Sequence, residues 1–232
     1  MHHRGRARSR GSETDPAVTV TAFLFDVGGV IILPLDPDAV WARRDRLAQQ
    51  LGYASGEAMW LDFYESDEWA SCKTGQLRHE EMWDRLLRPH GLLSREQQSQ
   101  FVDELHVGEG IRPEMESLLA TLHGQYKMGI LSNWDDRLEM ILEELGISHY
   151  FDVILNSHRI GAAKPDEAAF HVALQRLEAR PEEVLFVDNL ERNTRVAAAL
   201  GMKTHTFTDL PDLIEDLQER ALLDGSGNSN GD

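Results

Sequence analysis

Ala22-Phe23-Leu24-Phe25-Asp26-Val27-Gly28-Gly29 is an apolar run that ends on a single acid and is followed almost at once by two glycines. The run from Val18 to Phe25 is short and rich in β-branched and aromatic residues, the pattern of a strand buried in a parallel sheet. Such a strand puts Asp26 at its carboxyl end, where open α/β sheets form their ligand crevice. Glycines at that point let the backbone turn sharply and let a ligand approach without meeting a Cβ. Taken alone, the stretch also reads as a turn capped by an acid, so the remaining chain has to decide between site and turn.

Downstream, the sequence predicts helices with no strand among them. Asp36 caps a helix with Pro37 at its first position, running to Leu51. Ser55 opens another through Met59, Trp60 and Phe63, and residues 78–88 carry Met82, Trp83, Leu86 and Leu87 on one face. Ser94 caps a further one, with Gln97 three residues on and Phe101, Val102 and Leu105 as its apolar set. Residues 35–107 are far too long for an ordinary strand-to-helix connection and read as an inserted helical lobe. Its aromatics are expected mainly in that lobe's core, with one or two facing the crevice. From Ile111 the strand–helix alternation resumes. Strands are expected over Tyr126–Leu131, Phe151–Leu155, Val184–Val187 and Thr204–Phe207. Helices are expected over Pro113–His123, Trp134–Leu145, Asp166–Glu178, Asn193–Leu200 and Leu210–Leu222. The fold class is therefore α/β, a doubly wound parallel sheet with core segments 18–34 and 108–222. Residues 1–17, with Arg4, Arg6, Arg8 and Arg10, and residues 223–232 read as disordered tails.

Composition narrows the function. With 23 Lys+Arg against 40 Asp+Glu the net charge is −17, which disfavours nucleic acid and anionic membrane as partners. An anionic substrate then needs a local positive feature, a metal ion or a buried Lys. No apolar stretch approaches the ~20 residues of a membrane span. The single cysteine, Cys72, excludes an internal disulfide framework and fits a cytoplasmic setting, and it reads as a small semi-buried apolar residue.

In a parallel sheet the strand ends bring Asp26, Ser132-Asn133, the loop residue Lys164 and Asp188-Asn189 to one edge. Their chemistry is legible. A strand-end carboxylate can act as a nucleophile and form a covalent aspartyl intermediate. A second acid can share Mg²⁺ with it, a cation that takes a few carboxylates together with phosphate oxygens. A Ser hydroxyl can hold a phosphoryl oxygen, and a Lys offsets the charge of nucleophile and phosphate.

Four segments carry a resemblance to the haloacid dehalogenase superfamily of hydrolases, covering the chain from about residue 20 to 222. Phe25-Asp26-Val27-Gly28-Gly29-Val30 resembles the first motif and Gly129-Ile130-Leu131-Ser132-Asn133 the second. Gly161-Ala162-Ala163-Lys164-Pro165-Asp166 resembles the third, and Leu185-Phe186-Val187-Asp188-Asn189 through Asn193, Ala197-Ala198 and Gly201-Met202 the fourth. Each is weak alone; four in order are specific. The insert resembles the α-helical cap found after the first motif. Glu68-Trp69, Thr74-Gly75-Gln76-Leu77 and Met82-Trp83 look like the group holding sugar-phosphate phosphatases and the epoxide hydrolase N-terminal phosphatase domain. The resemblance implies a Mg²⁺-dependent phosphatase of a small phosphorylated metabolite. Asp26 would be nucleophile and metal ligand, and Lys164 would steady the intermediate. Ser132, Asn133 and Lys164 would bind substrate. Asp188, the Gly28 carbonyl and Asn189 would complete the metal set. His158 and Arg159 read as solvated, and Asn193 as a residue that orders the last loop.

Two positions depart from that pattern. Phosphatases of the family usually carry a second Asp two residues after the nucleophile, a general acid typically worth ~10²–10⁴ in rate, and here that position is Gly28. The second is Asn189, where a second acid is common and where Asn offers only a neutral oxygen to the metal. These leave two alternatives open: a metal-independent 2-haloacid-dehalogenase-type hydrolase, and a catalytically weak binding or regulatory protein.

Overall fold

A computed structural model describes residues 19–224. The expected tails, 1–17 and the stretch after residue 224, lie outside the described residues. The strands are β1 (Ala22–Phe25), β2 (Leu33–Pro34), β3 (Glu109–Gly110), β4 (Lys127–Ser132), β5 (Val153–Asn156), β6 (Val184–Asp188) and β7 (Lys203–Thr206). Five of them form one sheet in the order β5-β4-β1-β6-β7, every pair parallel. β1 is thus central, and its carboxyl end lies between those of β4 and β6.

Both faces of that sheet are covered, which is why β1 reads as an unbroken apolar run. Phe23 and Phe25 point to one face, against Met115, Leu119 and Leu122 of α6 (Pro113–Leu122), Leu138 and Leu142 of α7 (Leu138–Glu144) and Leu213 of α11 (Leu210–Glu219). Ala22 and Leu24 point to the other, against Phe170, Ala173 and Leu177 of α9 (Glu167–Leu177) and Ala197 of α10 (Glu191–Ala199). This is the doubly wound arrangement that the alternating pattern predicts.

Between β2 and β3 lie five helices, α1 (Pro37–Leu51), α2 (Gly56–Tyr64), α3 (Asp67–Cys72), α4 (His79–Leu87) and α5 (Arg95–His106). Asp36, Ser55, Ser66 and Ser94 cap α1, α2, α3 and α5 through side-chain oxygens. The insert has its own core of Leu47, Met59, Phe63, Cys72, Met82, Trp83, Leu87, Phe101 and Leu105. Trp60, Tyr64 and Trp69 pack at its margin, and Arg44, 2% exposed, is stacked on the rings of Trp60 and Trp41. Chain leaves and returns through the antiparallel pair β2·β3, Leu33 opposite Gly110 and Pro34 opposite Glu109. Arg44 fastens this junction from within the insert, donating to Glu109 Oε1 at 2.5 Å.

Four elements differ from the sequence expectations. The first strand begins at Ala22 rather than Val18, the latter lying outside the described residues. The helix expected from Trp134 starts at Leu138. Ahead of it Asp135 Oδ1 accepts from Arg137 N at 2.9 Å, an Asx turn that competes with helix, and Ser157 Oγ accepts from Trp134 N at 3.1 Å. Between the strand expected to end at Leu155 and the helix expected from Asp166 lies α8 (Ser157–Ile160), capped by Asn156, where no element was expected. The short α3 had no counterpart in the periodicity.

Candidate active site

Asp26, Ser132, Lys164 and Asp188 meet at the carboxyl edge, and all four are buried. Asp26 Oδ1 accepts from Ser132 Oγ at 2.9 Å and from its neighbour Val27 N at 2.7 Å. Lys164 Nζ stands 2.9 Å from that same oxygen and 2.7 Å from Asp188 Oδ2. Asp188 is held in turn: Asn193 Nδ2 donates to both carboxylate oxygens at 3.0 Å, and Leu190 N donates to Oδ1 at 2.8 Å. One ammonium therefore serves two carboxylates.

Electrostatics follow from that count. Burial pushes the Asp26 carboxyl above the ordinary range; the Lys164 charge pulls it down, and Asp188 pushes it up again. The site carries excess negative charge with Asp26 ionised, the condition in which a cation or a cation-bound substrate is favoured.

Asn133 departs from its expected place. Its Nδ2 donates to the Lys164 carbonyl at 2.8 Å and its Oδ1 accepts from Lys164 N at 2.8 Å. Both ends of the amide are engaged, so the side chain positions the backbone that carries Lys164. Asn189 lies against the loop that follows Asp26. A Cβ on Gly29 would come within 2.3 Å of Asn189 Nδ2, and Gly29 has φ +81°, so glycine is required twice over. Asn189 Oδ1 is buried with no hydrogen-bond partner. Gly28 meets the Trp134 ring, which would lie 3.4 Å from a Cβ added there.

Among the described residues no group of three or more His, Cys, Asp or Glu side chains is placed to hold a metal. Mg²⁺ needs fewer, since it binds through one or two carboxylates and retains waters. Two buried carboxylates beside an orphaned amide oxygen, that of Asn189, fit such an ion.

Sequence reasoning missed the contacts that join insert and core here. Asp135, 6% exposed, takes His79 Nδ1 at 2.6 Å, and Asp136 accepts from His79 N at 2.8 Å and Arg78 Nε at 3.1 Å. Burial raises Asp135, but the His79 hydrogen bond and charge, with Arg137, outweigh it and hold the carboxyl below its usual value. His158, expected in solvent, donates from Nδ1 to the Cys72 carbonyl at 2.7 Å, and Gly75 (φ +79°) presses on the His158 carbonyl, 2.5 Å from where a Cβ would lie. The signal available was Asp135-Asp136 one residue after Ser132-Asn133, opposite Arg78-His79 at a helix start. Cys72 is fully buried, its thiol pushed up to about 12, which suits packing and not nucleophilic chemistry.

A buried strand-end carboxylate bonded to a Ser at the end of a neighbouring strand and to a Lys from a loop defines a hydrolase-type centre on a doubly wound sheet. A family model of haloacid dehalogenase-like hydrolases matches residues 20–201, and the chain belongs to that family. Haloacid dehalogenase-like hydrolase domain-containing protein 3 of Bos taurus is 39% identical over 98 residues, 40% of this chain and 38% of the relative. Bifunctional epoxide hydrolase 2 of Rattus norvegicus is 27% identical over 94 residues, 39% of this chain and 17% of the relative. The matched stretches thus span less than half of these relatives. Among solved structures, a haloacid dehalogenase family enzyme of Bacteroides thetaiotaomicron, in complex with magnesium and inorganic phosphate, superposes with a TM-score of 0.66. It is 24% identical, with 82% of this chain and 94% of that one covered. L-2-haloacid dehalogenase of Xanthobacter autotrophicus gives 0.59 at 20% identity, covering 87% and 83%. At such identities the likeness is one of fold.

Proposed function

We propose that the protein is a Mg²⁺-dependent phosphatase of a small phosphorylated metabolite, with Asp26 as nucleophile. The observation that carries this reading is Asp26 Oδ1 held by Ser132 and Lys164 while Lys164 also bonds Asp188. Ser132 and the Lys164 ammonium hold a phosphoryl oxygen beside Asp26. The free carboxylate oxygen attacks phosphorus in line, the leaving alkoxide departs with a proton, and water then hydrolyses the aspartyl phosphate. Lys164 offsets the charge gathered in the transition state. Asp26, Asp188, the Gly28 carbonyl and Asn189 would hold Mg²⁺, which when bound neutralises phosphate charge. The leaving-group proton is not supplied at position 28 and comes from solvent water, so substrates with good leaving groups are favoured, anomeric sugar phosphates among them. The insert acts as the cap that selects substrate, and residues 35–107 are its extent. The magnesium and phosphate bound by the Bacteroides thetaiotaomicron neighbour support this reading by analogy of fold.

A panel of phosphorylated metabolites assayed with Mg²⁺, beside Asp26→Asn, tests it. Phosphate release is expected from the parent protein and not from the variant. The neutral residues Gly28 and Asn189 favour a second reading, a metal-independent dehalogenase in which Asp26 attacks carbon. Halide release that survives EDTA, without hydrolysis of p-nitrophenyl phosphate, would establish it instead.

A further inference from the structure

Lys73 of the insert and Arg192 of the core lie close enough across their seam for one charge to act on the other. Lys73 follows directly on α3, in a turn that is fixed in place. The Cys72 carbonyl before it accepts from His158 Nδ1 of α8 at 2.7 Å, and Thr74 Oγ1 after it donates to the Ala70 carbonyl at 2.8 Å. Arg192 stands in the first turn of α10, between Leu190 and Asn193, which both donate to Asp188. Chain leaving α8 runs on to Lys164. The turn of Lys73 is thus fastened to the segment that leads to Lys164 and faces the segment that follows Asp188.

Neither cation is neutralised. Among the described residues, neither side chain makes a hydrogen bond or an ion pair. Glu191, beside Arg192, is taken by Arg195 at 2.7 Å, and Asp188 is taken by Lys164 at 2.7 Å. Lys73 is half-buried and Arg192 exposed. Burial holds the Lys73 ammonium below its usual value and the Arg192 charge lowers it further, with no carboxylate acting the other way. In a chain of net charge −17, two like charges left facing each other are a cost that an anion between them removes. We propose that Lys73 and Arg192 bind a second anionic group, carboxylate or phosphate, on the leaving-group side of the substrate, an inference that rests on reading Asp26 as a phosphatase nucleophile. The substrate is then charged at both ends: its phosphoryl group lies on Asp26, and its other acid lies at the seam, between the Lys73 ammonium and the planar fork of Arg192.

Three esters with the same anomeric phosphate test it: glucose 1-phosphate, glucuronic acid 1-phosphate and glucose 1,6-bisphosphate. Hydrolysis at the anomeric position is followed with Mg²⁺, and p-nitrophenyl phosphate serves as an ester without a second anion. For one of the two doubly anionic sugars kcat/KM should exceed that for glucose 1-phosphate by about tenfold, as for a hydrogen bond to a charged group. Which of the two it is tells carboxylate from phosphate. That ratio should fall close to one in Lys73→Gln and below one in Arg192→Glu, the latter at an exposed position where folding is not at stake. A ratio near one in the parent protein overturns the proposal, as does a preference that survives both substitutions. Either result leaves the reading of Asp26 standing, provided that p-nitrophenyl phosphate is hydrolysed by the parent and not by Asp26→Asn. If p-nitrophenyl phosphate and all three sugars are left intact, the phosphatase reading falls and takes this proposal with it.

Discussion

Asn133 and Lys164 grip each other twice, amide to backbone carbonyl and backbone N–H to amide oxygen, both at 2.8 Å. The ammonium that joins Asp26 to Asp188 is thereby aimed by a residue from a different strand end. Asn133→Ala removes both bonds and should lower kcat by about 100-fold, as misplacement near 1 Å does, while KM changes little. Steady-state kinetics on the folded variant, checked by circular dichroism, measure it.

Lys164→Met leaves two buried carboxylates facing each other. Stability should fall by about 3–5 kcal/mol, the usual cost of stranding a buried charge. Asp26→Asn added to Lys164→Met should recover part of that loss, a non-additivity that urea unfolding of the double-mutant cycle reads directly.

Asp26 has its carboxyl raised by burial first and by Asp188 further, against the pull of Lys164. Two consequences follow, opposite in sign with pH. In the proposed mechanism Asp26 must be ionised, so kcat/KM should rise with pH through an apparent pKa above that of an ordinary Asp. A raised folded-state value also means that Asp26 favours folding below its unfolded pKa and that this contribution is lost as pH rises through the folded value. Asp26→Asn should therefore be inactive yet more stable at pH 7, by about 1 kcal/mol. A pH–rate profile and thermal melts at pH 4 and pH 7 check both.

Asn189→Asp restores a second acid beside an orphaned position. The Mg²⁺ concentration for half-maximal activity should drop by about tenfold, since ligand charge sets affinity at such sites. Gly29→Ala should act in the opposite direction, because its Cβ would strike Asn189 at 2.3 Å on a left-handed backbone.

The His79–Asp135 pair joins insert to core at 2.6 Å, with both side chains largely buried. Asp135→Asn should cost about 1.5–3 kcal/mol. Because the Asp135 carboxyl is held low, its contribution is present above the unfolded value of about 3.9 and lost as pH falls through the folded one. The gap between wild type and variant in denaturant midpoint should be constant at neutral pH and shrink only below about pH 4.

How far the sequence foretold all this depends on how local each cause is. Asp36 with Pro37, Ser55 and Ser94 with Gln97 mark helix starts because the cap and its helix lie within a few residues. Asp26, Ser132, Lys164 and Asp188 could be placed together because a parallel sheet sends every strand end to one edge. The helix expected from Trp134 starts four residues later, after a stretch tied to Ser157, 23 residues away, through Trp134 N. His158 looked solvated because Cys72, its partner, stands 86 residues earlier. Asn133 read as a substrate contact, and only the fold showed that Lys164 occupies both ends of its amide. Ser66 followed by Asp67 and Glu68 did announce α3, but a six-residue helix is too short for periodicity to register.

The β2·β3 pair has one more consequence. Pro34 and Glu109 face each other across an antiparallel ribbon, where strands run about 4.8 Å apart. A two-residue Asn-Gly turn would close that gap as a hairpin. The parallel sheet and its Asp26 edge would keep their register, since neither ribbon strand pairs with it. The ribbon is thus a socket: one scaffold can accept a different module between the same two residues without disturbing the sheet edge beneath.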